Sequence, residues 1–190
     1  MPTDQEGTML GVAKALADQT DIALRLARAR LAHLSDEEFP WEPVAGCWSL
    51  RRKGAMAFVP PDASPGDWWI DGAYPAPEPP PFTTAAWLVS HMTLGTWNWN
   101  DIIAGRAIAP EPALHGTARE AVELWSTVIG NFERMVVGFS DDQLGEEVSA
   151  WGGNVARAFL VSHVVAEVLH HSAEVGRLRD LYRNRHTLIA

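Results

Sequence analysis

The stretch that most constrains the fold is Phe159 to Tyr182, FLVSHVVAEVLHHSAEVGRLRDLY, where His163, Glu167, His170, His171 and Glu174 stand among Val, Leu and Ala at helical spacing. At ~100° per residue these five polar side chains fall inside an arc of roughly 100° on one helix. Arg179, Asp180, Arg183, Ser162 and Ser172 fall on the opposite side, which the amphipathic pattern assigns to solvent. The His/Glu arc therefore points at the core on which the helix packs. Unpaired charge is costly to bury, so these groups are paired with each other, bound to a metal or lining a wet cavity.

Three further helices precede this one. Met9 to Leu34 has few breakers and repeats Leu16, Ala23, Ala27, Leu31 and Leu34 at helical intervals, and Ser35 to Glu38 has the spacing of a capped turn. A second helix is predicted from an N-cap at Thr83 to about Ala104, with His91 on its apolar stripe and Gly105 as its stop. A third runs from Thr117 to about Gly138, burying Ala121, Leu124, Trp125, Val128 and Phe132. SDDQLGEEVSAWGGN is the last connection, and the fourth helix ends near Tyr182 or Arg185. No strand pattern or internal repeat competes with this reading. The expectation is an all-α four-helix bundle forming a single domain over 1–190.

Between the first two helices lies a long irregular connection, residues 39 to 82. It holds most of the thirteen Pro and several of the nine Trp. Its runs WEPVAGCWSL, VPPDASPGDWW and YPAPEPPPF put Pro, Gly and Trp together, and the last suits only extended or polyproline-like chain. Disordered segments are poor in aromatics, so it reads as an ordered lid pinned to the helices by Trp41, Trp48, Trp68, Trp69, Tyr74 and Phe82. Such a wealth of Trp suits the wall of a pocket or an interface.

The net charge is −9 and the only cationic block is Arg51-Arg52-Lys53. That argues against nucleic acid, whose binding needs clustered cations, and against anionic membrane surfaces. The single Cys47 excludes an internal disulfide. With no signal-like N-terminus and no apolar run of about 18 residues, the sequence predicts a soluble cytoplasmic protein. Arg51, Arg52 and Lys53 read as solvated surface and Cys47 as structural; a substrate-carboxylate clamp and a reactive thiol are the weaker alternatives. No Gly-rich phosphate loop, GxSxG or paired CxxC is present.

The order and gaps of SDEEFPWEPVAGCWSL, FTTAAWLVSHM and SHVVAEVLHHSAEVGRLRDLY resemble the DinB-like superfamily, which includes the YfiT-like proteins and thiol-dependent transferases. The resemblance implies a divalent metal, most often zinc or nickel, held by one histidine of helix two and two of helix four. Carried over, these positions fall on His91 and His171, with Glu167 where relatives carry a second histidine and Glu174 where the spacing is three. Two imidazoles and a carboxylate are a workable set for a catalytic divalent ion. His163 and His170 are then supporting residues, donating to the ligands or carrying protons.

The activity implied by the resemblance is a metal-dependent S-transferase, with a low-molecular-weight thiol of the mycothiol or bacillithiol type attacking a small electrophile. Two readings compete with it: a metal-dependent hydrolase, and a non-catalytic bundle that binds a small molecule in its Trp-rich pocket. The substrate partner in each is a small molecule. Relatives often dimerise through helix faces, and Trp97 or Trp99, read as lying on the outer side of helix two, would suit a homodimer.

Overall fold

The computed structural model describes residues 11–56, 59–60, 63–73, 75 and 77–187. Met9 and Tyr74, named above, lie outside these residues. Four long helices dominate: α1 (Val12–Leu31), α2 (Ala85–Ile103), α3 (Ala118–Val137) and α5 (Arg157–Arg183), with a short α4 (Asp141–Gly145) before the last. The protein is therefore mostly helical. α1 packs on α5 and α3, and α2 packs on α5 and α3, so each long helix has two long neighbours. Trp125, Phe132 and Ile129 of α3 meet Leu24 and Leu31 of α1, Leu88 and Ile103 of α2 and Leu160 of α5 in the core. Each such side chain, fully buried, contributes about 1.5–3 kcal/mol. Among the described residues no helix is long and apolar enough to cross a membrane.

The helix ends follow local chemistry. Thr117 caps α3, its hydroxyl accepting from Glu120 N at 3.3 Å. The cap of α2 is Thr84 rather than Thr83, with Thr84 Oγ1 accepting from Trp87 N at 3.2 Å. Thr83 is diverted because Trp48 and Thr83 pair as a parallel bridge, Thr84 N donating to Trp48 O at 2.9 Å. Asp141 reaches back to Ala13 N at 2.6 Å and ties α4 to the first turn of α1. The expected turn after α1 is present: Ser35 N donates to the Glu38 carboxylate at 3.1 Å and Glu38 N to Ser35 Oγ at 3.2 Å.

Two small antiparallel sheets are added to the expected helices. β1 (Leu50–Arg52) pairs with β2 (Trp68–Ile70), placing Arg51 opposite Trp69 inside the Pro/Trp-rich connection. β3 (Glu147–Ala150) and β4 (Gly153–Ala156) turn the last connection into a hairpin whose tip is Trp151-Gly152. Both tip residues have positive φ, 49° and 78°, the backbone of a type I′ turn. Asn and Gly favour that geometry; a Trp there costs on the order of 1 kcal/mol. Of the aromatics expected to pin the connection, Trp41, Trp48, Trp68 and Trp69 are half-buried, whereas Phe82 is exposed. Trp68 lies so close to Gly116 that a Cβ there would stand 2.1 Å from its ring, which fixes Gly at that position.

One face assignment is corrected. Arg179 and Ser172, expected in solvent, are buried, while Ser162, Asp180 and Arg183 are exposed. A single helical wheel assumes one buried face, but α5 lies against α2 on one side and α1 on the other. Arg179 donates to Arg30 O, Ala32 O and His33 O, covering carbonyls that the end of α1 leaves without helical partners. Its Nε meets the buried carboxylate of Glu38 at 3.2 Å, and Arg183 takes the other oxygen at 3.2 Å. Ser172 accepts from Arg30 at 3.0 Å.

Candidate functional site

The side of α5 that faces α2 carries the His/Glu arc, and the structure brings part of it to His91. Donor atoms of His91, Glu167 and His171 lie within 4.8 Å of one another. His171 Nε2 stands 3.2 Å from Glu167 Oε2, and His91 Nε2 stands 3.8 Å from the same oxygen. On its other edge His171 Nδ1 is 2.7 Å from Glu174 Oε2. The two candidate carboxylates are thus on opposite nitrogens of one imidazole. Glu167 converges with both histidines, while Glu174 holds the far edge of His171 and meets His170 Nε2 at 3.6 Å. His170, His171 and Glu174 form a second, more exposed group of the same kind.

A neutral imidazole has one N–H, and ionised carboxylates only accept. His171 therefore cannot donate to Glu167 and Glu174 together unless it is charged. A cation between Nε2 and Glu167, with Nδ1–H given to Glu174, resolves the conflict without an imidazolium. Ligands at 2.0–2.2 Å around a tetrahedral ion stand roughly 3.3 Å apart; the His171–Glu167 spacing of 3.2 Å matches this, and the His91–Glu167 spacing of 3.8 Å is somewhat wider. The donor set therefore fits a divalent ion. Burial, and then the neighbouring His171, push the His91 imidazole below its ordinary range, against the opposing pull of Glu167 and Glu174. A neutral His91 keeps the lone pair that a metal needs.

The surroundings are aromatic. Trp87, one turn before His91 on α2, stacks on it with centroids 4.6 Å apart at 12°. Its Nε1 donates to Asp71 O at 2.7 Å, just past β2, and Trp48 stacks on it at 5.9 Å. The connection thus reaches the site through Trp87. A cavity of about 710 Å³ between Trp48, Trp69 and Trp87 lies beside this stack. A smaller one, about 150 Å³, opens directly at the cluster and is lined by His91, Glu167, His171, Trp99 and His163. At Gly95, also on its lining, a Cβ would meet nothing within 4 Å and would project into open space.

His163 makes no hydrogen bond to the cluster; it packs edge-on against Trp99 and Trp151 at 5.3 and 5.2 Å. Trp99 is not on the outer side of α2, as expected for a dimer contact, but lines the small cavity. A signal for this was present, because His91, Gly95 and Trp99 follow one another at intervals of four and share a face. Trp97 donates to Ala109 O at 3.3 Å. Arg51 is tied to Glu42 and Asp71, and Arg52 lies over Trp68, so neither is offered to the cavities. Cys47 is buried, with its thiol on Val44 O.

Fold and cluster together define a mostly helical protein with a His/Glu group between two helices, open to a small cavity. A family model described as the DinB superfamily matches residues 19–175, and the chain belongs to that superfamily. No curated protein and no solved structure matches it significantly.

Proposed function

We propose that the chain is a metal-dependent enzyme on a four-helix-bundle scaffold, using His91, Glu167 and His171 to hold zinc or nickel and acting as a thiol S-transferase on small electrophiles. The observation that carries the reading is the convergence of two imidazole nitrogens and one carboxylate oxygen, within 4.8 Å, on a cavity. Three protein ligands leave a coordination position for a substrate atom, as catalytic sites require. A divalent ion held there supplies the Lewis acidity that keeps a small thiol deprotonated at neutral pH.

The chain's own residues supply the rest. Glu174 accepts Nδ1–H of His171, which fixes the tautomer and turns Nε2 to the cavity. Trp87 covers one face of His91 and limits water on that side. His163, on the cavity wall, is placed to carry a proton between the cavity and solvent. The thiol itself is supported by the superfamily resemblance alone.

Elemental analysis of the purified protein tests the metal. The expected result is one divalent ion per chain, lost in His91→Ala and His171→Ala; undiminished metal in both variants would sink the proposal. A panel of low-molecular-weight thiols with small electrophiles, run beside ester and amide substrates, separates S-transfer from hydrolysis.

A further inference from the structure

The cavity at the cluster is too small for a whole substrate. Ligand pockets for small molecules span about 300–1,000 Å³, and this one encloses about 150 Å³. It can admit a reacting head of a few atoms, and the remainder must lie at the mouth. There, beside the half-exposed Glu167, the protein presents aromatic surface. Trp99 and His163 line the cavity and continue outward into Trp151, whose ring is 4.8 Å from Trp99, and Phe159, 6.0 Å from Trp151. Trp151 is 60% exposed and Phe159 56% exposed. Trp151 also occupies a left-handed turn position, φ 49°, that favours Asn or Gly, so the chain holds a large ring in water on a strained backbone.

We infer that Trp99, Trp151, Phe159 and His163 form a rim that binds a flat, apolar portion of a small-molecule substrate while its head enters the cavity of His91, Glu167 and His171. Only the position of the reacting head rests on the metal reading above. The chemistry of the rim selects an aromatic or conjugated group: its walls are ring faces and edges, and its only ionisable member is His163. A second copy of the chain is the poorer occupant. Two partly exposed rings offer on the order of 300 Å², against about 800 Å² per partner in a stable interface. Continuity with the cavity favours the small molecule, since two of the four rim residues belong to both.

The test uses the full chain and 8-anilinonaphthalene-1-sulfonate, whose fluorescence rises on entering an apolar site. The variant Trp151→Asn removes the ring and suits the turn; Phe159→Ala removes the neighbouring ring. Binding is titrated on metal-free and zinc-loaded protein, with zinc content measured on the same samples. The expected result is one site in both forms, a Kd raised at least fivefold by either variant and tenfold or more by the pair, with Val137→Ala, which removes exposed apolar surface on α3 instead, within twofold of wild type. Zinc content reports separately on the metal reading, so failure of that reading leaves the rim result interpretable. An unchanged Kd in the double variant overturns the inference. Loss of binding in Trp69→Ala instead overturns it by placing the probe in the larger cavity. A dimer in sedimentation that Trp151→Asn dissociates overturns it in favour of self-association.

Discussion

Two polar clusters sit on the same helix, one facing each neighbour, and they differ in how their charges are closed. Toward α1, Arg179 is buried, its guanidinium is spent on Glu38 and three carbonyls, and the second Glu38 oxygen is taken by Arg183. Toward α2, the His171 side chain is only 14% exposed yet both its nitrogens face acceptors, while Glu167 and Glu174 remain 43% exposed. The first cluster is complete with protein atoms alone. The second has acceptors in excess and a cavity that opens beside His91, Glu167 and His171. Closed pairing of this kind serves to seat α5 on α1; convergent, unfinished pairing leaves room for something the chain does not itself contain.

The sharpest way to break the comparison is to open the closed cluster. Arg179→Ala leaves the buried Glu38 carboxylate with only the more exposed Arg183 beside it and uncovers carbonyls at the end of α1, and it is expected to cost about 3 kcal/mol, the low end for breaking a buried pair. In thermal unfolding that is a fall on the order of 10 °C for a domain of this size. The pair Arg179→Met with Glu38→Gln should cost clearly less, since no buried charge is left unpaired and the exposed Arg183 stays hydrated. Equal losses in the two would show that packing, not the ion pair, holds this corner.

The open cluster should behave in the opposite sense, gaining stability from outside. Adding zinc to metal-free protein at about a hundred times its Kd is expected to stabilise it by roughly 2.7 kcal/mol, reversibly on chelation. His171→Ala should abolish that gain while leaving the metal-free stability within about 1 kcal/mol, because the side chain has no closed partner set to lose. A zinc-dependent rise in Tm that survives His171→Ala would place the ion elsewhere.

These contrasts were only partly legible in the sequence. The long helices were, because Thr117, Ser35 and the apolar repeats at three and four announce themselves locally, and the Thr83-to-Thr84 shift at α2 arises from a bridge to Trp48 that no local pattern encodes. The two sheets were not: three- and four-residue strands are too short to show a period, and Trp151-Gly152 is an unusual pair for their turn. Arg179 was misplaced because a helix wheel supplies one buried side and α5 has two. The convergence of His91 with His171 came from resemblance, since nothing along the chain relates two helices so far apart in sequence. Trp99 was within reach of spacing alone, through His91 and Gly95, and was assigned outward.

Glu174 discriminates more finely within the open cluster. If it serves His171 through Nδ1 and Glu167 is the ligand, Glu174→Gln keeps the shape and an acceptor oxygen but loses the charge, and metal affinity should fall about 10–100-fold. Glu167→Gln should fall further, as loss of a direct ligand. The reverse order, measured by competition with a chromogenic chelator, would exchange their roles and move the ion to the group of His170, His171 and Glu174.

The smallest expected effect is in pH, and its sign follows from His91. Its imidazole is held below the ordinary range in the folded protein, chiefly by burial and then by His171. Between the folded value and about 6.5 the unfolded chain therefore binds the extra proton. The associated stability is fully present above the unfolded value and is lost as pH falls through that window. In metal-free protein, denaturant titrations from pH 7.5 downward should show stability declining in wild type and a shallower slope in His91→Gln. A slope that His91→Gln leaves unchanged would assign the acid sensitivity to groups other than His91.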